Sequence, residues 1–371
     1  MNGVFGLDPQ FTRTGLALAE GPRGGLSSTR QIGDGRRRLI PNACESGDWG
    51  SLAAERRLAR IDERSAGALV PHLLTWRRDP LDPACLTGIG HRVRAYVGVT
   101  AQTPLEHYRL CLAGHEPLSA AAAAAITGAG LPAPIRVHPA EALVHRWIGD
   151  LPPGAAADTT VVAVACGETQ IATGRYRVER SKQRPRVTVL DSACAEGGAW
   201  AVSAALARRV LLNCKQGVPP VMLLALLDGC AEFAAMLRAL PPDRVATWDG
   251  PFADRMFTAL GLSRAAMAQW DEVVALTRAV RDAIRPLAAG ADTPIVLVGG
   301  MGAIWPCVAE AAREFGQVWI SDDPGADIAI GAAWSALGSS VEPRTSSAPP
   351  ASVPDPPVRR AGTESTPPWL H

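Results

Sequence analysis

Lysine is almost missing from this chain: 37 residues are basic, yet Lys182 and Lys215 are the only lysines and the rest are arginine. We read the bias as codon usage before function, and it removes most candidates for a catalytic lysine. Net charge is scarce as well, since 37 Lys+Arg stand against 36 Asp+Glu. A chain without a field of one sign holds neither nucleic acid nor an anionic membrane by charge alone. No C-x-x-C pair occurs among the eight cysteines (Cys44, Cys85, Cys111, Cys166, Cys194, Cys214, Cys230 and Cys307), which stand mostly in apolar or Ala-rich surroundings. Free thiols in a reducing, cytoplasmic compartment are therefore expected, in place of disulfides or a zinc site. No basic segment followed by an apolar signal core opens the sequence, and no apolar run is long and charge-free enough to span a bilayer.

What is present is an ordinary globular composition, 47% hydrophobic and 20% charged over 371 residues, enough for two domains of usual size. Val4–Glu20 reads as strand, turn, strand, broken at Asp8-Pro9. Helical spacing follows over Arg56–Trp76, at Leu58, Ile61, Ala66, Leu69 and Leu73. Val93–Val99 reads as a strand, Pro104–Ala129 as a helix interrupted near Gly114 and Pro117, Ile135–Val137 as a strand, and Pro139–Trp147 as a helix opened by proline. After a linker at Pro152–Ala157 the pattern restarts, with strands at Thr159–Val164, Ile171–Val178 and Val187–Leu190 and a helix at Trp200–Leu212. That restart predicts one lobe over residues 1–150 and a second over 151–337. The second includes a helical subdomain near 215–290, read from Val218–Ala239 and Arg255–Ala289. Strand Pro294–Val298, helix Trp305–Phe315, strand Gln317–Ile320 and helix Ile328–Leu337 complete the ordered part. Residues 338–371 turn to Pro, Ser, Thr and Arg and predict a disordered tail.

Phe5-Gly6-Leu7-Asp8 with Thr12 near the start, and Ile295–Gly300 with Asp323-Pro324 near the end, are among several motifs whose order resembles the nucleotide-binding half of DnaK-type chaperones and their actin relatives. Phe5-Gly6-Leu7-Asp8 with Thr12 resembles the first phosphate loop. Gly35-Arg36-Arg37-Arg38-Leu39-Ile40-Pro41-Asn42 is similar to the chaperones' arginine, two residues, then proline and serine. Val97-Gly98-Val99-Thr100-Ala101 resembles their Val-Thr-Val-Pro-Ala strand end, and Ile135 to Leu143 resembles the strand leading into Asn-Glu-Pro-Thr-Ala-Ala. Ile295-Val296-Leu297-Val298-Gly299-Gly300 looks like the adenosine loop, and Asp323-Pro324 with Ala329-Ile330-Gly331-Ala332-Ala333 like the closing helix. The resemblance implies a two-lobed α/β fold of the actin-like ATPase type, each lobe built on a ribonuclease-H-like mixed sheet flanked by helices. It also implies a cleft for ATP or ADP with Mg²⁺. Asp8 would stand at the metal, Thr12, Gly167, Thr169, Gly197 and Gly198 at the phosphates, and Gly299 and Gly300 at the nucleoside.

The departures fall on the residues of hydrolysis. His138 stands where the catalytic glutamate belongs, and Ala165 takes the aspartate position of the second loop, Val164-Ala165-Cys166-Gly167-Glu168-Thr169. Gln10-Phe11 replaces the Gly-Thr of the first loop, and Ala303 the arginine that stacks on adenine. A positioned base or water-orienting group contributes about 10²–10⁴-fold, so only weak ATPase activity is expected, with Asp8, His138 and Glu168 as its remaining candidates. Nothing after Leu337 reads as a peptide-binding β-sandwich. The expectation is therefore a chaperone-like switch or scaffold for a protein partner, an active or a pseudo-ATPase. Three other readings stay open: an actin-like filament, a sugar-kinase relative, and a RuvC-type nuclease, which Gly6-Leu7-Asp8-Pro9 with Thr12–Leu16 resembles locally. The nuclease ranks lower because the chain is neutral.

Overall fold

The two apolar runs on either side of Asp8-Pro9 fold back on each other. β1 (Gly3–Pro9) pairs antiparallel with β2 (Arg13–Glu20), with Val4 opposite Ala19 and Pro9 opposite Thr14. The computed structural model describes residues 3–10, 13–20, 28–33, 40–41, 44–45, 48–61, 69–70, 82–98, 105, 107–151, 158–179, 185–214, 218–248, 260–289 and 294–338. These belong to one compact unit ending at Gly338. Thr12, the Gly35–Leu39 basic run, Val99–Ala101, the Pro152–Ala157 linker, the start of the Arg255–Ala289 helix and the tail lie outside the described residues.

β3 (Ser28–Gln31) and β4 (Ile40–Pro41) both pair with β2. A short ribbon, β5 (Cys44–Glu45) and β6 (Asp48–Trp49), precedes helix α1 (Ser51–Ala59). Then come α2 (Pro83–Tyr96), β7 (Tyr108–Ala113), α3 (Ala120–Gly128), β8 (Pro134–Val137) and α4 (Pro139–Asp150). The first sheet has the order β3-β2-β1-β7-β8, with β7 parallel to β1 and β8 parallel to β7.

The second sheet repeats this plan. An antiparallel meander of β9 (Thr159–Cys166), β10 (Gln170–Glu179) and β11 (Arg186–Glu196) is followed by helices α5 (Trp200–Leu212) and α6 (Met222–Ala239). A small ribbon of β12 (Ala246–Trp248) and β13 (Leu260–Leu262) leads to α7 (Arg264–Met267) and α8 (Asp271–Ala288). β14 (Ile295–Gly299), a 3₁₀ turn at Met301–Ile304, α9 (Pro306–Arg313), β15 (Gln317–Ile320) and α10 (Asp327–Gly338) close the chain. The order is β11-β10-β9-β14-β15, with β14 parallel to β9 and β15 to β14. The chain is thus a mixed α/β protein with two mixed sheets flanked by helices.

Strand alternation sorts the core into layers. Val4, Cys111, Val161, Ala163 and Leu297 turn inward to a cluster that holds both sheets against α4 and α10, through Leu143, Val144 and Ile328. Their neighbours turn the other way. Phe5, Leu7, Leu16 and Leu18 pack on Leu86, Ile89 and Val93 of α2. Val162, Val164, Val296 and Val298 share a cluster with Leu206 of α5, Phe233 of α6 and Val280 of α8. In the middle layer α10 crosses both β1 and α4 at very short range. A Cβ on Gly6 would overlap the carbonyl oxygen of Ala329, and one on Gly331 that of Ala142.

Three sequence expectations are corrected. Arg255–Ala289 is not one helix: Leu260–Leu262 is strand β13, drawn out of it by pairing with β12, and α7 and α8 follow separately. Val93–Val99 is not a strand: Val93 to Tyr96 end helix α2, whose start is fixed by Asp82 accepting the Ala84 N–H at 2.8 Å and by Pro83 in the first turn. The β-branched residues there masked a helical stripe of Cys85, Leu86, Ile89 and Val93, all buried. Nor is Pro104–Ala129 one interrupted helix, because Tyr108–Ala113 is the strand that lies beside β1, while Ser119 caps α3 by accepting the Ala122 N–H at 3.1 Å. Val97 and Gly98, the described part of the Val97–Ala101 motif, follow helix α2, and the residues that follow the central parallel strand are Gly114 and His115.

Candidate functional site

Four strands end at one place. Pro9 closes β1, Ala113 is the last residue of β7, Cys166 of β9 and Gly299 of β14. The carboxyl ends of parallel strands are where open α/β sheets place ligands, since the loops there are free of the ladder. A cleft with about 450 Å³ of empty space opens among Pro9, Gln10, His115, Pro139, Cys166 and Gly300. A second, of about 360 Å³, is lined by Arg13, Glu168, Trp200, Ser203 and Met301.

Asp8 sits at the end of β1, 1% exposed. Its Oδ1 accepts the Gln10 Nε2–H at 2.8 Å, while Oδ2 is buried with no partner among the described residues. Burial pushes the carboxyl up to about 7; the bond from Gln10 pulls against that rise, and the charge of Glu168 adds to it. Glu168 is buried in the turn between β9 and β10. Its backbone N–H donates at 3.0 Å to Oε1 of Gln10, and this pairing of both carboxamide ends fixes which atom is oxygen. A Cβ on Gly167 would come 2.6 Å from that oxygen, so glycine leaves the room in which the carboxamide lies. The hairpin turn of the first sheet is thereby tied to that of the second. Arg13 adds another link, 3.1 Å from Asp228 on α6.

Of the residues singled out in the sequence, Asp8, Gly167 and Glu168 come together in this way. Thr169 is beside them, its carbonyl accepting the Gly197 N–H at 3.1 Å, and Gly198 backs on Glu168, where a Cβ would overlap the peptide carbonyl. Gly299 packs on Leu143 and Asp327, and a Cβ there would stand 2.5 Å from Leu143 Cδ1. Gly300 has φ 89°, a conformation that favours glycine, and a Cβ there would stand 2.6 Å from the Cys166 carbonyl oxygen. His138 stands apart from the two carboxylates in hydrogen bonding. It precedes α4, and its Nδ1 lies 3.3 Å from the Tyr176 hydroxyl. Burial lowers its pKa, opposed by the charge of Glu141, which suits a neutral structural imidazole.

Four participants have no clear signature in the sequence. Gln10 drew notice only as a departure from glycine; its length was the signal. The Arg13–Asp228 pair spans 215 positions and leaves no local pattern. Asp327, buried at the start of α10, accepts from Ser321 at 2.8 Å and from Arg146 of α4 at 3.2 Å. Burial pushes its carboxyl up to about 7 against both of those contacts.

The donor set answers in part to magnesium and phosphate: a carboxylate with an unpartnered oxygen, a second carboxylate close by, and an amide N–H at a turn. In the present arrangement the space between them holds the Gln10 carboxamide, so a metal–phosphate unit does not fit alongside it. Among the described residues there is no group of three or more His, Cys, Asp or Glu able to hold a metal ion. None of the described helices is long and apolar enough to cross a membrane. No protein-family model matches the chain, and the search of curated proteins gives no significant match.

Proposed function

We propose that this chain is a nucleotide-domain module of the actin and DnaK-type chaperone kind that works as a pseudo-ATPase switch or scaffold for a protein partner. The repeated strand order carries the reading: two sheets of the same plan, each with an antiparallel meander and two parallel strands, whose first hairpin turns face each other across a cleft. The helices α4 and α10, packed between the sheets, occupy the place where a hinge between ribonuclease-H-like lobes would lie. Hydrolysis has little support from the side chains. Ala165 offers no carboxylate at the end of β9, His138 is engaged with Tyr176, and Asp8 is held by Gln10. Partner binding then rests on the relative disposition of the lobes, the property of this fold that survives the loss of catalysis.

The test is calorimetric titration of ATP and ADP with Mg²⁺ into the full chain, run beside a phosphate-release assay with Asp8→Ala as control. Weak nucleotide binding and phosphate release no faster than in Asp8→Ala are expected. Turnover that scales with protein concentration and disappears in Asp8→Ala would end the pseudo-ATPase reading.

A further inference from the structure

We propose that the carboxamide of Gln10 stands in for a metal–phosphate unit, so that the protein holds its own cleft shut and opens to a magnesium-bound polyphosphate only when this side chain leaves. The inference rests on the reading above and adds what decides occupancy of the cleft.

A primary carboxamide has a donor end and an acceptor end, and here each faces the complementary group. Its NH₂, the positive end, meets the Asp8 carboxylate at 2.8 Å, where a cation would sit. Its oxygen meets the Glu168 N–H at 3.0 Å, where an anionic oxygen would sit. Backbone N–H groups at a turn are ordinary phosphate donors, and a buried aspartate is an ordinary partner for magnesium through water or directly. The second oxygen of Asp8 remains buried and unpartnered among the described residues, a capacity that Gln10 does not use. Gly167 contributes the space, because any side chain there would strike the carboxamide oxygen. A bare anion would approach two carboxylates, Asp8 and Glu168, so the incoming group must bring its own cation. A protein whose competent state is populated at about 0.1–10% binds its ligand about 10- to 1000-fold more weakly than the open form.

The decisive probe is magnesium pyrophosphate, titrated by calorimetry into wild type, Gln10→Gly and Gln10→Leu, with amide hydrogen exchange at Glu168 read on the same samples. In Gln10→Gly the Glu168 amide should exchange faster and pyrophosphate affinity should rise about 10-fold or more, only with Mg²⁺ present. Gln10→Leu frees the amide but still fills the space, and should gain no affinity. Equal affinity in wild type and Gln10→Gly would overturn the proposal, as would a freed Glu168 amide without any gain in binding. Gln10→Ala repeats the measurement should the glycine variant not fold. If Gln10→Gly takes magnesium pyrophosphate but refuses ATP with Mg²⁺, the stand-in holds while the nucleotide reading falls.

Discussion

The guanidinium of Arg13 lies 3.1 Å from the carboxylate of Asp228, joining β2 of the first sheet to α6 beside the second. Their side chains are 11% and 27% exposed, so the pair is partly shielded from water. Arg13→Ala is expected to lower the free energy of unfolding by about 1–3 kcal/mol in urea titration. Adding Asp228→Ala to that variant should cost less than Asp228→Ala does in wild type. Additive losses would show that the two residues are not coupled.

Close approach of α10 to β1 gives a sharper case. At Gly6 a methyl group has backbone on its path, the Ala329 carbonyl and the Ala333 nitrogen, and backbone in a packed helix does not yield cheaply. Gly6→Ala should cost about 3 kcal/mol or more, or give no folded protein. Gly128, in the last turn of α3, has nothing within 4 Å of a built Cβ. Gly128→Ala should be neutral or stabilising by about 0.5–1 kcal/mol. Thermal melting of the pair separates overlap from the general effect of replacing a glycine.

Stability should depend on pH with an unusual sign near neutrality. The Asp8 carboxyl is raised from 3.8 to about 7 in the folded chain, chiefly by burial. Between those two values the folded protein keeps a proton that the unfolded chain has released, so stability falls as pH climbs from about 4 to 7 and levels off above. Asp327, also raised to about 7 by burial, contributes in the same direction. Asp8→Asn keeps the acceptor for Gln10 and never ionises. Urea unfolding across this range should show a shallower slope in that variant and greater stability than wild type at pH 8, by up to about 4 kcal/mol. A slope identical to wild type would remove Asp8 as its source.

Local signals in the sequence carried much of the strand and helix pattern, because most elements have their own punctuation. Asp8-Pro9 marks the end of β1, Pro139 and Pro306 open α4 and α9, and Gly299-Gly300 marks the end of β14. Another misread stretch besides Leu260–Leu262, 93–113, is where propensity and packing disagree. Val93 and its neighbours favour a strand, but the helix beginning at Pro83 buries Cys85, Leu86, Ile89 and Val93 on one face. Tyr108–Ala113, ended by the breakers Gly114 and Pro117, becomes a strand by lying against β1. The parallel pairings beyond the hairpins, β1 with β7 and β9 with β14, are long-range and have no local trace. At the site, Asp8, Gly167 and Glu168 stood out by resemblance. The partner that joins them did not, since only the meeting of the two hairpin turns gives Gln10 its acceptor and its donor.

Helix α10 covers β1, β2 and α4, and with Ile328 and Ala332 it completes the cluster between the sheets. The opening strand of the chain is therefore sealed by the last described helix. During synthesis one apolar face of the first sheet must wait, bare, until residue 327 and beyond have been made, and a waiting apolar face is a place where chains stick to one another. A nascent chain that stalls or is cut before Asp327 would lose more than a peripheral turn. It would expose its earliest strands, and demand on holding factors in the cell should follow the time taken to reach the last helix.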